Sequence, residues 1–201
     1  TIIDAVYSAN SAGYTESSES VWGHATPLVA TSDPLLPPLS TLRSPAELHS
    51  WIKRRPVSYS SDEEFAWKSA YRWRLLVPRE RIERRLDERG AGVGTIRQIL
   101  PGPRGITGRV EEVRFIGDAG ESVVRRDALR WVLGGLRSNL FIHAPRRNKE
   151  GEVLAFLFEG AGWGHGVGLC QTGAAGMASD GRDAAEILGH YYPESEITVG
   201  R

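Results

Sequence analysis

The sequence predicts an α+β fold, a single domain in which a mixed or antiparallel sheet is combined with several short helices. Three observations support this class. The apolar runs that could form strands are short and unevenly spaced, which disfavours a TIM barrel and a Rossmann fold. A helix-capping pattern begins at Ser44, and residues 95–126 alternate short β-type runs with turns rich in glycine and proline.

Composition agrees with one globular domain and excludes several classes of protein. The chain has 201 residues, of which 40% are hydrophobic and 25% charged. Basic and acidic residues number 25 each, so the net charge of zero gives no global support to a nucleic-acid partner. Cys170 is the single cysteine, which excludes an internal disulfide and a multi-thiolate zinc site within these residues. The apolar runs are far shorter than the ~18 residues of a membrane span.

The first quarter of the chain predicts one strand, two irregular segments and one helix. Residues 1–7 read as a strand that enters a polar loop over residues 8–20. Residues 27–38 are rich in proline and predict an ordered connector without regular structure. Ser44 at the N-cap, Pro45 at the first helical position and Glu47 three residues after the cap predict a helix that runs to about residue 54.

The remaining elements follow from hydrophobic periodicity and turn residues. A helix over residues 78–89 should place Ile82 and Leu86 on one buried face, while its interleaved acidic and basic residues form a solvated face rather than a nucleic-acid site. Asp127 is expected to cap a brief helix that ends near Leu133. Strands are predicted at residues 71–77, 95–100, 109–116, 121–125, 140–144 and 153–159, of which the second, third and fourth should form a β-meander. A further helix is predicted at residues 171–180.

A glycine-rich passage follows the last of these strands. Seven of the 23 glycines lie within seventeen residues, namely Gly160, Gly162, Gly164, Gly166, Gly168, Gly173 and Gly176. The alternation is reminiscent of a phosphate-binding turn, but no lysine follows in the Walker position and the alternation continues too long for a dinucleotide fingerprint. We expect it to serve backbone geometry, through positive φ angles or close approach of chain segments.

This passage carries a resemblance to a known family. Residues 158–174, which read FEGAGWGHGVGLCQTGA, together with residues 187–193, resemble the closing motif of the SpoIID/LytB family. Residues 12–16 resemble its GG-x-TE loop, residues 108–110 its SGRV strand, and residues 133–141 its LGLRSTxF passage. The resemblance covers nearly all of residues 1–201 and is weakest over residues 34–64. Cys170 stands where the family usually has serine.

The resemblance implies a peptidoglycan-directed protein of the cell envelope, in a periplasmic or other extracytoplasmic location. Sporulation members of the family resemble lytic transglycosylases that cut glycan strands lacking stem peptides, and another branch enhances an amidase. A transglycosylase needs one carboxylic acid, which protonates the glycosidic oxygen and then, as a carboxylate, helps the 6-hydroxyl of the sugar attack C1.

The family's catalytic glutamate lies upstream of the part that these residues resemble, beside a KAQAVAAR-like run, and some members place zinc ligands there too. The chain therefore resembles the C-terminal two thirds of the domain, truncated at its N-terminus, and by itself should be inactive. We expect glycan-strand cleavage by a lytic transglycosylase whose acid lies upstream, with a non-catalytic peptidoglycan-binding amidase enhancer as the alternative. The expected partners are glycan strands and a cell-wall amidase, with no nucleic acid, no cofactor, no metal and no membrane anchor in this chain.

Two groups of residues are candidates for the site. The first lies in the polar loop, where Glu16 is a weak candidate for the catalytic acid and is otherwise a substrate-orienting or loop-capping group. In the second group, tryptophans could form platforms for sugar faces or simply pack in the core, His165 lies between glycines, and Gln171 could bind an N-acetyl carbonyl or cap a helix. The full set of expected substrate-binding residues is Ser11, Tyr14, Thr15, Glu16, Trp22, Trp163, His165 and Gln171.

Two residues with reactive side chains have simpler interpretations. Cys170 is expected to be a small buried residue rather than a nucleophile, since no basic partner can be assigned to it. His190 is expected to pack at the C-terminal edge, and His165 with His190 alone does not form a zinc motif.

Overall fold

The computed structural model describes residues 3–38, 44–196 and 198, and this part of the chain contains eight strands and seven α-helices. The α+β class is thus confirmed. In chain order the elements are β1 (Tyr7–Ser8), α1 (Ser18–Trp22), α2 (Pro45–Lys53), a 3₁₀ turn (Tyr59–Ser61), α3 (Lys68–Tyr71), β2 (Arg72–Pro78), α4 (Arg79–Asp87), β3 (Ile96–Pro101), β4 (Glu112–Gly117), β5 (Glu121–Arg125), α5 (Ala128–Val132), β6 (Phe141–Arg147), β7 (Val153–Ala161), β8 (Leu169–Cys170), α6 (Gln171–Ser179) and α7 (Ala184–Tyr191).

Strand β7 is the centre of the largest sheet. It pairs antiparallel with β2 on one side and β6 on the other, with Leu75 opposite Phe158 and Phe141 opposite Gly160. Its apolar run buries Phe156 and Phe158 almost completely. A strand that is covered on both faces is expected to be continuously apolar, which explains why β7 lacks the alternation of a surface strand.

The predicted meander is the second sheet, in which β3, β4 and β5 are antiparallel neighbours. Val113 and Phe115 of β4 are buried, whereas Arg114 between them is exposed. This alternation with a period of two is the pattern of a sheet with one buried face. The meander packs through these residues against α4 and α5, and together they form the main hydrophobic core with the β7 sheet.

The prediction of one sheet is wrong, because the strands form three separate sheets in the described part of the chain. The third is a parallel pair of two-residue strands, β1 and β8. The predicted strand over residues 1–7 is also wrong for residues 3–6, while Thr1 and Ile2 lie outside the described residues. Ile3 and Val6 pack instead against a C-terminal cluster of apolar residues built on α6 and α7. Side-chain packing therefore holds this segment, together with hydrogen bonds that the Val6 carbonyl accepts from the Leu169 amide at 3.1 Å and the Tyr192 hydroxyl at 2.8 Å.

Helix capping accounts for one confirmed helix and one that was not predicted. In α2 the Glu47 amide donates to Ser44 Oγ at 3.1 Å, and the Ser44 amide donates to Glu47 Oε2 at 3.0 Å. Helix α7 begins with the same reciprocal arrangement between Asp183 and Glu186. The Asp183-x-x-Glu186 spacing could have indicated it. At α5 the expected cap is wrong, because the Asp127 side chain makes no capping hydrogen bond.

Candidate functional site

The glycine-rich passage from β7 to β8 organises the surroundings of the candidate residues. Gly162, Gly164, Gly166 and Gly168 all have positive φ angles, of +80°, +113°, +81° and +69°. A Cβ on Gly162 would lie 2.7 Å from the backbone oxygen of Asn10. Both expected reasons for the alternation, left-handed backbone and close approach, are therefore present. The passage runs directly against residues 10–16, which we call the first loop, and Asn10 and Trp163 form an antiparallel bridge there.

The first loop lies inside the domain rather than on its surface. Ser11, Tyr14, Thr15 and Glu16 are each at most 3% exposed. The Glu16 carboxylate accepts hydrogen bonds from the Thr107 amide at 3.0 Å and the Thr107 hydroxyl at 2.6 Å through Oε2. Its Oε1 accepts from the Ser17 amide at 3.1 Å. In this structure the carboxylate thus joins two chain segments that are about ninety residues apart in sequence.

Arg109 continues the same buried network. Its Nη1 donates to Thr107 Oγ1 at 2.6 Å and to the Tyr14 carbonyl at 3.1 Å, and its Nη2 donates to the Ser11 carbonyl at 2.9 Å. Burial lowers the pKa of Arg109, and the negative charge of Glu16 opposes that shift. Sequence reasoning assigned no role to Thr107 or Arg109. The SGRV-like motif at residues 108–110, which contains Arg109, was the available signal.

Trp22 and His165 form a separate, half-buried aromatic pair. Their ring centroids are 5.3 Å apart, and His24 stacks on Trp22 with ring centroids 6.4 Å apart. The Val167 amide donates to His165 Nδ1 at 3.0 Å. Burial lowers the pKa of His165, opposed by the charge of Asp127, so the neutral ring is favoured at neutral pH.

An open cleft of about 460 Å³ contains the other two candidates, Trp163 and Gln171. Trp67 also lines it and packs against Trp163, with ring centroids 5.5 Å apart and planes inclined by 55°. Trp67 is 74% exposed, and Gln171, the first residue of α6, is exposed as well. The remaining lining residues are Phe65, Thr172 and four alanines, namely Ala9, Ala66, Ala70 and Ala175. The cleft therefore combines aromatic surfaces with an amide and a hydroxyl, and none of its lining residues carries a carboxyl group.

The structure thus divides the eight candidates among three places. It brings Trp163 and Gln171 together in the aromatic cleft, pairs Trp22 with His165 elsewhere, and buries the four residues of the first loop. Sequence reasoning missed Phe65 and Trp67. Two aromatic side chains two positions apart in the polar stretch that begins at Asp62 were the signal that could have found them.

Cys170 is fully buried, which confirms the expectation of a small buried residue. Its Sγ accepts from the Gly173 amide at 3.3 Å and from the Ser11 amide at 3.1 Å. It is the N-cap of α6, so the alternative in which Gln171 caps this helix is wrong. Sulfur here occupies the capping position for which serine is preferred.

A zinc site such as some SpoIID/LytB proteins have does not fit the side chains described here. No three His, Cys, Asp or Glu residues in the described ranges are grouped so that they could hold a metal ion. Within the same ranges, none of the helices has the length and apolar character that crossing a membrane requires.

Comparison with known proteins adds a family and several relatives. A family model described as "Domain of unknown function (DUF8618)" matches residues 17–168. "Stage II sporulation protein D" from Bacillus amyloliquefaciens is 29% identical over 199 residues, and the protein of the same name from Bacillus subtilis (strain 168) is 29% identical over 196 residues. Each alignment covers 98% of this chain and 45% of the relative.

A further relative has a different name. It is an "Amidase enhancer" from Bacillus subtilis (strain 168), 25% identical over 214 residues, an alignment that covers 98% of this chain and 30% of the relative. The chain thus spans less than half the length of these curated relatives.

Proposed function

The chain belongs to the DUF8618 family and is SpoIID/LytB-like over nearly its whole length, and from this premise we propose that it is a cell-wall protein that binds peptidoglycan glycan strands in its aromatic cleft. The observation that carries the proposal is the pair of tryptophans, Trp67 and Trp163, packed against each other in the lining of a solvent-open cleft. The exposed indole of Trp67 and the adjoining indole of Trp163 form a contiguous apolar patch, which is a feature of ligand-binding grooves.

The chemistry of the cleft suits an N-acetylated sugar. The axial C–H groups of a pyranose ring pack on an indole face, and the two inclined rings offer faces to successive sugars. The exposed amide of Gln171 can donate to an N-acetyl carbonyl, while a neighbouring hydroxyl, Thr172 Oγ1, is already held by a hydrogen bond of 2.8 Å from Asn10 Nδ2. A few placed polar groups on an aromatic floor are typical of small-ligand sites.

We propose that the whole protein uses this groove for glycan-strand cleavage as a lytic transglycosylase. The reaction requires a carboxylic acid near the glycosidic oxygen. Because no residue that lines the cleft carries one and Glu16 is fully buried at hydrogen-bonding distance of Thr107, the acid would come from a segment beyond these 201 residues. The role requires a location in the cell envelope outside the cytoplasm, where peptidoglycan is found.

The second candidate is a non-catalytic amidase enhancer, which would hold the strand while a cell-wall amidase acts on it. The observation that favours it is the same lack of a carboxyl group among the lining residues, since binding alone needs no acid. Similarity to the amidase enhancer supports this role, and similarity to the sporulation proteins supports cleavage.

A binding assay with purified cell-wall sacculi tests the shared part of both roles. We expect Trp67→Ala and Trp163→Ala each to weaken co-sedimentation with sacculi by about threefold to tenfold, from the loss of one stacking surface. Trp131→Ala is the matched control, because Trp131 is also an exposed tryptophan, 65% exposed on α5, and does not line the cleft. Unchanged binding by both cleft variants would overturn the proposal.

A product assay with the full-length protein separates the two roles. Cleavage by a lytic transglycosylase predicts new 1,6-anhydro-N-acetylmuramic ends, formed more slowly by the Trp163→Ala variant. An enhancer predicts no new anhydro ends and a faster release of stem peptides when a cell-wall amidase is added.

A further inference from the structure

A second cleft, of about 410 Å³, contains four arginine side chains. Arg72 and Arg74 extend from the same face of β2, Arg81 comes from α4, and Arg137 comes from the segment before β6. None of the residues that line it is acidic. Such a concentration of positive charge stands out in a chain whose net charge is zero.

Most of this charge has no acidic partner among the described residues. Of the four guanidinium groups, only that of Arg74 lies within 4.0 Å of a carboxylate, at 3.6 Å from Glu159, and Lys53 shares that carboxylate at 2.6 Å. Arg72 donates instead to the backbone carbonyls of Trp51, Tyr71 and Ile52, which are neutral. The cleft is therefore short of negative charge.

Arg72 is a buried cation that lies close to two aromatic rings. Its guanidinium lies 3.9 Å from the centroid of the Trp51 ring and 4.1 Å from that of Tyr71. Burial lowers the pKa of Arg72 to about 10, so the group remains a cation at neutral pH. A buried cation gains stability when an anion approaches it, because its own hydration has already been lost.

Arg137 connects this cleft with the aromatic one. Its guanidinium lies 4.8 Å from the centroid of the Trp163 ring, and it donates a hydrogen bond to the Ser69 carbonyl. Trp163 lines the aromatic cleft and Arg137 lines the basic one, so the two clefts meet at this contact. A sugar on Trp163 would place its substituents within reach of Arg137.

We propose that the arginine cleft binds a carboxylate carried by the glycan strand, while the sugar ring itself rests on the adjacent tryptophans. This rests on the proposed function, since the strand is the ligand in both cases. Guanidinium groups present planar pairs of N–H donors that match a carboxylate. The strand offers that group from two sources, the lactyl carboxylate of a muramic acid without its stem peptide, or the carboxylates of a stem peptide.

The test compares the binding of three ligands to the purified chain by calorimetry. They are chitotetraose, which has no carboxylate, a stem-free GlcNAc–MurNAc tetrasaccharide with free lactyl carboxylates, and the same tetrasaccharide bearing stem peptides. We expect at least one acidic ligand to bind about tenfold more tightly than chitotetraose, the effect of one charge-assisted hydrogen-bonded pair, and expect this advantage to shrink as salt is added. Which of the two acidic ligands has the advantage identifies the source of the carboxylate.

Substitutions test whether the arginines of the cleft cause the higher affinity for the acidic ligand. Arg81→Gln and Arg137→Gln should each reduce the advantage of the acidic ligand severalfold, whereas Arg84→Gln, an exposed arginine on the same helix outside the cleft, should not. Thermal unfolding of each variant reports whether it folds, and chitotetraose binding reports whether its aromatic cleft is intact.

The outcomes separate this inference from the proposed function. Equal affinities for all three ligands, or an advantage that survives in both cleft variants, would overturn the carboxylate site while the glycan site stands. An acidic ligand that binds through Arg81 and Arg137 while chitotetraose does not bind would retain the carboxylate site and overturn the aromatic one.

Discussion

Glu16 shows how much the surroundings of a single residue constrain its role. Its carboxylate is separated from the Arg109 guanidinium by one hydroxyl, that of Thr107, and all three side chains are buried. The network holds the first loop against residues 105–109, next to the glycine-rich passage that carries Trp163. We propose that Glu16 acts by positioning these segments.

We predict that Glu16→Gln destabilises the domain by about 3 kcal/mol, because it leaves the buried guanidinium of Arg109 without an opposing charge. Urea unfolding measures the change. Glu19→Gln is the control, since Glu19 is exposed one turn further on. If Glu16→Gln left the stability of the chain unchanged but abolished glycan cleavage by the full-length protein, Glu16 would instead have a catalytic role.

At the scale of elements, the passage between β7 and β8 has more positive φ angles than any other segment described here. A chain that alternates left-handed and extended residues can run along the first loop while its side chains reach opposite surroundings. Trp163 faces the aromatic cleft, and His165 faces Trp22. Only glycine adopts these angles at low cost, so the sequence pattern is a direct consequence of the geometry.

We predict that Gly162→Ala costs at least about 2 kcal/mol more than Gly181→Ala in the free energy of unfolding. The two glycines have similar φ angles, +80° and +88°, so backbone strain is matched. A Cβ at Gly162 would contact the Asn10 carbonyl at 2.7 Å, whereas nothing lies within 4 Å of one at Gly181. Chemical denaturation of both variants gives the difference, and equal costs would show that the close approach to Asn10 has no energetic weight.

For the molecule as a whole, the free energy of unfolding should depend on pH through the protonation of three histidines. Burial lowers the pKa values of His143, His165 and His190, each from a different part of the fold. Above the ordinary histidine pKa, the folded and unfolded states are both neutral at these sites. As the pH falls through about 6.5, the unfolded chain takes up protons that the folded chain does not, so unfolding is favoured.

We therefore predict that the free energy of unfolding decreases as the pH falls from about 7 to about 5. Urea unfolding at several pH values measures the slope, and His143→Gln should make it shallower. A slope that His143→Gln leaves unchanged would contradict a pKa lowered by burial at His143.

The local parts of the fold could be predicted because their causes are local. The Ser44–Glu47 cap, the meander and the buried run of β7 all depend on neighbours within a few positions, and each is present. The parallel pair of β1 and β8 could not be predicted, since two residues give no periodicity and the partner lies about 160 positions away.

The candidate site likewise contains residues that the sequence could predict and residues that it could not. Trp163 and Gln171 were found because a distinctive local pattern surrounds them, but their neighbour Trp67 lies in a segment without such a pattern. The burial of the first loop was not visible either, because polar residues usually indicate a surface. Its interior position depends on Arg109, which satisfies the carbonyls of Ser11 and Tyr14 from almost a hundred residues away.

The sequence by itself determined the fold class, the family resemblance and the left-handed glycines, because these depend on residue type, order and short-range sterics. Only the tertiary structure decided which residues share a surface. It removed Glu16 from solvent, placed Trp67 beside Trp163, and joined an aromatic cleft to an arginine cleft at Arg137. The physical reason is that a binding surface is made by contacts between segments distant in sequence, whose energies come from packing and charge in the folded state.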